Sequence, residues 1–242
     1  MSKRACFDIA PEPDAEGLTA NLQGLDAQGQ PISLPVVQER PLTIYLNRQE
    51  LITAMTLGDR PKEMAVGFLF NQNMLKRGDV IIGIDNDDDI DVVVVRTAHE
   101  TDYEAKLQKK IRTSGCAQGT VFGDIMERFE AISLASDTQL STSQLVALSK
   151  QINTVPSLYL KAGAIHGCVL CTPKRPLVYI EDIGRHNAVD KIAGHCSRRG
   201  SSPLARQWPT PPAAAKPPSP RSPLTRPPWP SCSAGCARAT SG

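Results

Sequence analysis

The sequence predicts a mixed α/β chain: a small N-terminal α+β unit, a second unit that runs helix, hairpin, helix, and a C-terminal tail with no packed structure. Three observations predict it. Residues 17–56 alternate short β-type runs with turn residues. Apolar residues keep helical spacing from Met64 to Leu75 and again from Ile125 onward. Composition changes abruptly near Gly194. The expected organisation is an N-terminal α+β region over 1–112, a second unit over 113–194 and a disordered tail over 195–242.

Leu18–Leu25, Ile32–Val37, Leu42–Leu46 and Leu51–Thr56 read as antiparallel strands, with Asp26–Gly29 turning between the first two. Asp59 is placed to cap a helix whose Pro61 lies in the first turn, and Met64, Ala65, Phe68, Leu69, Met74 and Leu75 make its buried face. A second β pair, Val80–Ile84 and Ile90–Arg96, is joined by the acidic run Asp85–Asp89. Alternate carboxylates suit a hard cation, but an EF-hand loop needs Gly sixth and Glu twelfth, where this chain has Ile90 and Arg96. A solvated hairpin turn is expected there. Ile125, Met126, Phe129 and Ile132 keep helical spacing, and Ser141-Thr142-Ser143 can cap a helix carrying Leu145, Leu148 and Ile152. Two strands, Ala164–Thr172 and Leu177–Ile180, flank the turn Pro173-Lys174-Arg175-Pro176. Asp182 then precedes a last helical pattern from Gly184 to Gly194.

The length of 242 residues suits one domain, or one and a small second. No run approaches the ~18 apolar residues of a membrane span, and Asp8 arrives before an apolar signal segment can form. A cytoplasmic protein without membrane contact is expected. Seven cysteines at irregular spacing argue for reactive or incidental thiols rather than a disulfide framework. The net charge of +2 hides a split, because residues 195–242 hold seven basic residues and no acidic one, leaving 20 basic against 25 acidic before them. The tail also holds 11 of the 20 prolines and both tryptophans. It cannot bury enough apolar surface to offset its ordering entropy. Its positive charges are isolated rather than clustered, so no nucleic-acid partner is expected. An out-of-frame reading of the gene would produce the same break.

Three clusters carry chemistry. Thr113 to Gly123 sets Cys116 among Gly115, Gly119 and Gly123, with Lys109, Lys110 and Arg112 just upstream. Glycines free the backbone, and nearby cations raise the thiolate fraction. Cys116 is the best nucleophile candidate in the chain, although a small residue packed under the loop fits the same pattern. Cys168 and Cys171 form a CxxC. On a strand, however, His166 and Cys168 share one face while Cys171 takes the other, so core cysteines are expected and no metal site is assigned. The third cluster runs from Glu181 to Ile192. At roughly 100° per residue, His186, Asn187, Asp190 and Lys191 occupy one half of the helix and Ala188, Val189, Ile192 and Ala193 the other. Arg185 and His186 sit at the helix start, where free N–H groups favour anions. The same spacing also fits an ordinary solvated face with a His186–Asp190 pair.

Three segments together, ERPLTIYLNRQELITAMTLGDRP at 39–61, TSGCAQGTVFG at 113–123 and GAIHGCVLC…EDIGRHNAVDKIAG within 163–194, closely resemble the formate dehydrogenase accessory sulfurtransferase family, FdhD. The resemblance covers about Val37 to Gly194. It implies a cytidine-deaminase-like core, incomplete here, and a sulfur relay. A cysteine desulfurase would load a persulfide on Cys116, and that sulfur would pass to the metal of a molybdenum (or tungsten) bis-pterin guanine dinucleotide cofactor destined for formate dehydrogenase. By resemblance, His166, Asp182, Arg185, His186, Asn187, Asp190 and Lys191 line the cofactor or guanine-nucleotide pocket. The cofactor is cargo, no tightly bound metal belongs to the chain itself, and the resemblance implies a homodimer.

Many members carry a second cysteine three residues after the first. Gly119 stands there in this chain, which implies a single-thiol carrier. The family also continues past Lys191 with further strands and helices that are not recognisable after Gly194, so an incomplete core and loss of activity are expected. The rival from another class is a cysteine hydrolase with Cys116 as nucleophile and His166 or His186 as base.

Overall fold

The computed structural model describes residues 7–75, 79–98, 110–112, 120–122 and 139–198. Two antiparallel strands, β1 (Thr19–Leu25) and β2 (Pro31–Val37), open the fold as a hairpin in which Leu22 pairs with Leu34. Asp26 builds the turn, its carboxylate accepting from the backbone N–H of Gln28 and Gln30. β3 (Arg40–Leu46), β4 (Gln49–Thr56), β5 (Ile81–Asp87) and β6 (Val92–Thr97) then form one mixed sheet in the order β4-β3-β6-β5. The parallel β3–β6 pairing sets Ile44 beside Val93 and Leu46 beside Val95. All four are fully buried. Alternate residues point to one face, so this register lines a single apolar surface, at about 1.5–3 kcal/mol for each side chain removed from water. The β5–β6 turn is exposed and closes through Asp91 at φ 52°, giving the hairpin expected of the acidic run.

Helix α1 (Pro61–Asn71) covers that surface with Met64, Ala65, Phe68 and Leu69, and the chain beyond it adds Met74 and Leu75 to the same core. Val66 joins this core, and Gly67 is buried too, because a second helix lies on the opposite side of α1. The expected cap is absent. Arg60 holds the N-cap position in the left-handed region (φ 51°, ψ 46°), with no side-chain cap bond, and Asp59 points elsewhere.

A short antiparallel pair, β7 (Lys110–Arg112) and β8 (Thr120–Phe122), follows. The expected helix through Ile125 and Ile132 lies outside the described residues. Helix α2 (Thr142–Ile152) starts at Ser141 as the sequence indicates, with a full capping box: Gln144 N–H donates to Ser141 Oγ and Ser141 N–H to Gln144 Oε1. Helix α3 (Leu158–Ala162) has no counterpart in the sequence reading.

Strands β9 (His166–Cys171) and β10 (Pro176–Asp182) form the second hairpin, and helix α4 (Arg185–Arg198) packs on it. Every residue of β10 is buried. β9 covers one edge, and residues 8 and 9 run along the chain at Leu177–Tyr179, with Tyr179 N–H donating to the Ile9 carbonyl at 3.0 Å. α4 is thus gripped between α1 and the hairpin.

Three expectations about α4 are corrected. It does not stop at Gly194 but runs four residues further, so His195 to Arg198 belong to the helix and not to the tail, and His195 and Cys196 are buried. Gly194 is a packing residue. A Cβ there would lie 1.8 Å from the Glu63 carbonyl oxygen, and one on Gly67 would lie 1.7 Å from that of Asp190, so the two helix backbones touch. Finally, the polar half is no solvated face. Asp190 and Lys191 are buried, whereas Val189, assigned to the apolar half, is 50% exposed. Contact on two sides leaves Arg185, His186 and Val189, with Arg198 at the far end, as the exposed residues of α4. Residues 199–242 lie outside the described residues.

Candidate functional site around the start of α4

Asp182 ends β10 with no exposed surface, and five donors converge on its carboxylate. Oδ1 accepts from Gly184 N–H at 3.0 Å and Asn187 Nδ2 at 2.9 Å; Oδ2 accepts from Thr56 Oγ1 at 2.5 Å, Leu57 N–H at 3.4 Å and Lys191 Nζ at 2.5 Å. The bonds to Gly184 and Asn187 fix the first turn of α4. Those to Thr56 and Leu57 join it to the end of β4. Asn187 adds a second link, donating to the Met55 carbonyl at 2.8 Å.

Lys191 is fully buried, and its ammonium also bonds Asp59 Oδ1 at 2.5 Å. A buried charge is tolerated only when paired and hydrogen-bonded, and here one ammonium lies between two carboxylates from distant parts of the chain. Asp190 faces the other way. Asn71 Nδ2 donates to its Oδ1 at 2.5 Å, not His186. Burial pushes the Asp190 carboxyl up to about 7, Asn71 opposes the rise and the charge of Asp182 adds to it.

Of the seven residues expected to line a pocket, the fold brings Asp182, Asn187 and Lys191 into this one network. Asp190 sits apart at the α1–α4 crossing. Arg185 and His186 are exposed at the helix start, and His166 is exposed opposite Asp182 in the β9–β10 register. Cys116 lies outside the described residues, and with it the hydrolase geometry that would need a histidine against the thiol. Cys168 is buried in the β10–α4 core with its thiol donating to the Arg185 carbonyl at 3.7 Å; Cys171 is half-buried, and burial pushes its thiol up. Among the described residues no three His, Cys, Asp or Glu side chains group to hold a metal.

Sequence reasoning missed Thr56 and Asp59 as partners of the site, and named Glu181 only as the first residue of the third cluster. Glu181 accepts from the Leu158 and Tyr159 N–H groups at 2.8 and 3.0 Å and so caps α3; burial raises its carboxyl, against the pull of those two bonds. Asp59, Arg60 and Glu181 border a cleft of about 200 Å³ between residues 10–18 and β10, walled by Leu57, Leu158 and Tyr179. The turn Gly58-Asp59-Arg60-Pro61, an acid and a base wedged between glycine and proline, was the available signal.

The model of the FdhD/NarQ family matches residues 37–207. The chain belongs to the FdhD/NarQ family. Two curated relatives, both named sulfur carrier protein FdhD, agree. That of Bacillus subtilis is 30% identical over 168 residues, 69% of this chain and 64% of the relative. That of Bacillus pumilus is 28% identical over 162 residues, 66% of this chain and 62% of the relative. The chain therefore spans a little under two thirds of the length of these FdhD relatives. A crystal structure of a candidate formate dehydrogenase accessory protein from Desulfotalea psychrophila shares the fold, with a TM-score of 0.57 and 24% identity over 74% of this chain and 69% of that one. The α/β architecture is thus that of an FdhD/NarQ protein. None of the described helices is long and apolar enough to cross a membrane.

Proposed function

We propose that the chain is a sulfur carrier for formate dehydrogenase maturation. Cys116 takes the outer sulfur of a desulfurase persulfide as the donor thiolate leaves, and would deliver that atom to the reduced metal of a molybdenum or tungsten bis-pterin guanine dinucleotide cofactor, the S–S bond breaking, the Cys116 thiolate leaving and the metal supplying the two electrons. The observation that carries this reading is family membership over a span that includes both Cys116 and the α4 start. One further fact supports it. Arg185 and His186 are exposed at the α4 start, where a guanidinium fork and free N–H groups suit cofactor phosphates.

The same reading carries a deaminase-like core, a cytoplasmic homodimer and no metal of the chain's own. The test is incubation with a cysteine desulfurase and ³⁵S-labelled cysteine. Cys116 is expected to gain dithiothreitol-releasable label and about 32 Da, and Cys116→Ala to gain neither. Label retained by Cys116→Ala would remove the relay.

A further inference from the structure

We infer that Asp59 is a positioning residue: through the buried ammonium of Lys191 it fixes the first turn of α4, and with it the direction in which Arg185 and His186 are presented. This rests on the sulfur-carrier reading for the substrate those two residues would hold.

Asp59 gives up a local role to do so. An aspartate just ahead of a Pro-initiated helix is in place to cap it, and capping contributes about 1 kcal/mol. In this fold the cap is forgone: Arg60 takes the N-cap position in the left-handed region with no side-chain bond. The residue before a proline is normally extended, so this is a costly conformation for Arg60, and Gly58 at φ 80° completes the turn. The outcome of that geometry is that Asp59 Oδ1 reaches Lys191 Nζ at 2.5 Å, across 132 residues of sequence.

Lys191 and Asp182, the next two members of the chain of charges, have no exposed side-chain surface. Buried ion pairs contribute little net stability compared with apolar side chains of the same volume. Stability alone gives no reason to bury two charged groups, and to join a third to them, where Met and Leu would pack. What the charges do supply is direction. Asp182 Oδ2 binds Lys191, Thr56 and Leu57, while its Oδ1 holds Gly184 and Asn187 in the first turn of α4. Asp59 is the anchor of this network that comes from the α1 side, and at 31% exposure it is the member closest to solvent. Releasing it leaves Lys191 with one carboxylate and the first turn tied to β4 alone.

The test compares Asp59→Asn with the parent by hydrogen exchange and by sulfur transfer. Amides of Arg185 to Ala188 are expected to exchange at least tenfold faster, while those of Ile192 to Cys196, in the same helix, keep their protection. Sulfur delivery to the cofactor is expected to fall at least tenfold, with loading of Cys116 within twofold of the parent. Asp59→Glu, which keeps the charge, is expected to recover some of the delivery. Uniformly faster exchange along α4, or unchanged delivery, would overturn the inference. A parent chain that never loads Cys116 would instead remove the sulfur-carrier reading, and the exchange pattern would still decide the role of Asp59. If Asp59→Asn does not fold, the double variant Lys191→Met/Asp182→Asn, which leaves no unpaired buried charge, takes the same exchange measurement with the same expected contrast.

Discussion

The two sides of α1 are held by different chemistry. Toward the sheet, Met64, Phe68 and Leu69 meet Ile44, Leu46, Val93 and Val95, and nothing polar is needed. Toward α4, the backbones touch at Gly67 and Gly194, and the flanks are polar: Asn71 on Asp190 at one end, the Asp59–Lys191–Asp182 chain at the other. The first contact is non-directional, so many apolar side chains of similar volume would serve it. The second admits few alternatives, because each buried donor or charge needs its own partner at its own distance. Specific geometry is concentrated on the side that carries the exposed Arg185 and His186.

Breaking the polar side is expected to cost most. Lys191→Met strands the buried Asp182 carboxylate and is expected to destabilise by about 3–5 kcal/mol, read as a lower urea midpoint. Adding the neutral partner in Lys191→Met/Asp182→Asn is expected to recover most of that loss, which separates an unpaired charge from a packing defect. Next is Gly67→Ala, whose methyl must push the touching helices apart; about 3 kcal/mol, the upper end for overpacking, is expected in thermal unfolding.

Asp190→Asn sharpens the contrast through pH. With the folded carboxyl raised to about 7 from an ordinary value of 3.8, stability from this group is fully present below the ordinary value and lost as pH rises through 7. The variant is therefore expected to be more stable than the parent at pH 8, by at most ~1.4 kcal/mol for each pH unit between those two values, with the difference closing as pH falls to 4. Equal melting curves at pH 8 would show that Asn71 already compensates the charge. Ile44→Val on the apolar side is expected to give the smallest change, about 0.5–1.5 kcal/mol and independent of pH.

The apolar side was legible in the sequence. The runs at Leu42–Leu46 and Leu51–Thr56, the buried face through Met64 and Leu75, and the Ser141 cap all follow from periods of two and 3.6 and from one hydroxyl ahead of a helix. Local signals failed where tertiary contact reassigned a residue. Asp59 read as a cap because capping is a local event, and only the approach of Lys191 from 132 residues away drew it off. Gly194 read as the end of α4 because glycine ends many helices, yet it is the point where α1 comes closest. Helical spacing split Val189 from Asp190 and Lys191 in the wrong sense, since periodicity reports one apolar face and α4 has two neighbours.

By itself the sequence determined the larger strands and helices, though not β7, β8 or α3, and the family motifs, because those depend on residue type and short-range spacing. Which charges are buried, which carboxylate shares Lys191 and which residues of α4 remain open to water were decided only in the tertiary structure. A buried ion pair is a contact between segments that do not know of each other until the chain has closed, and no local propensity encodes its partner.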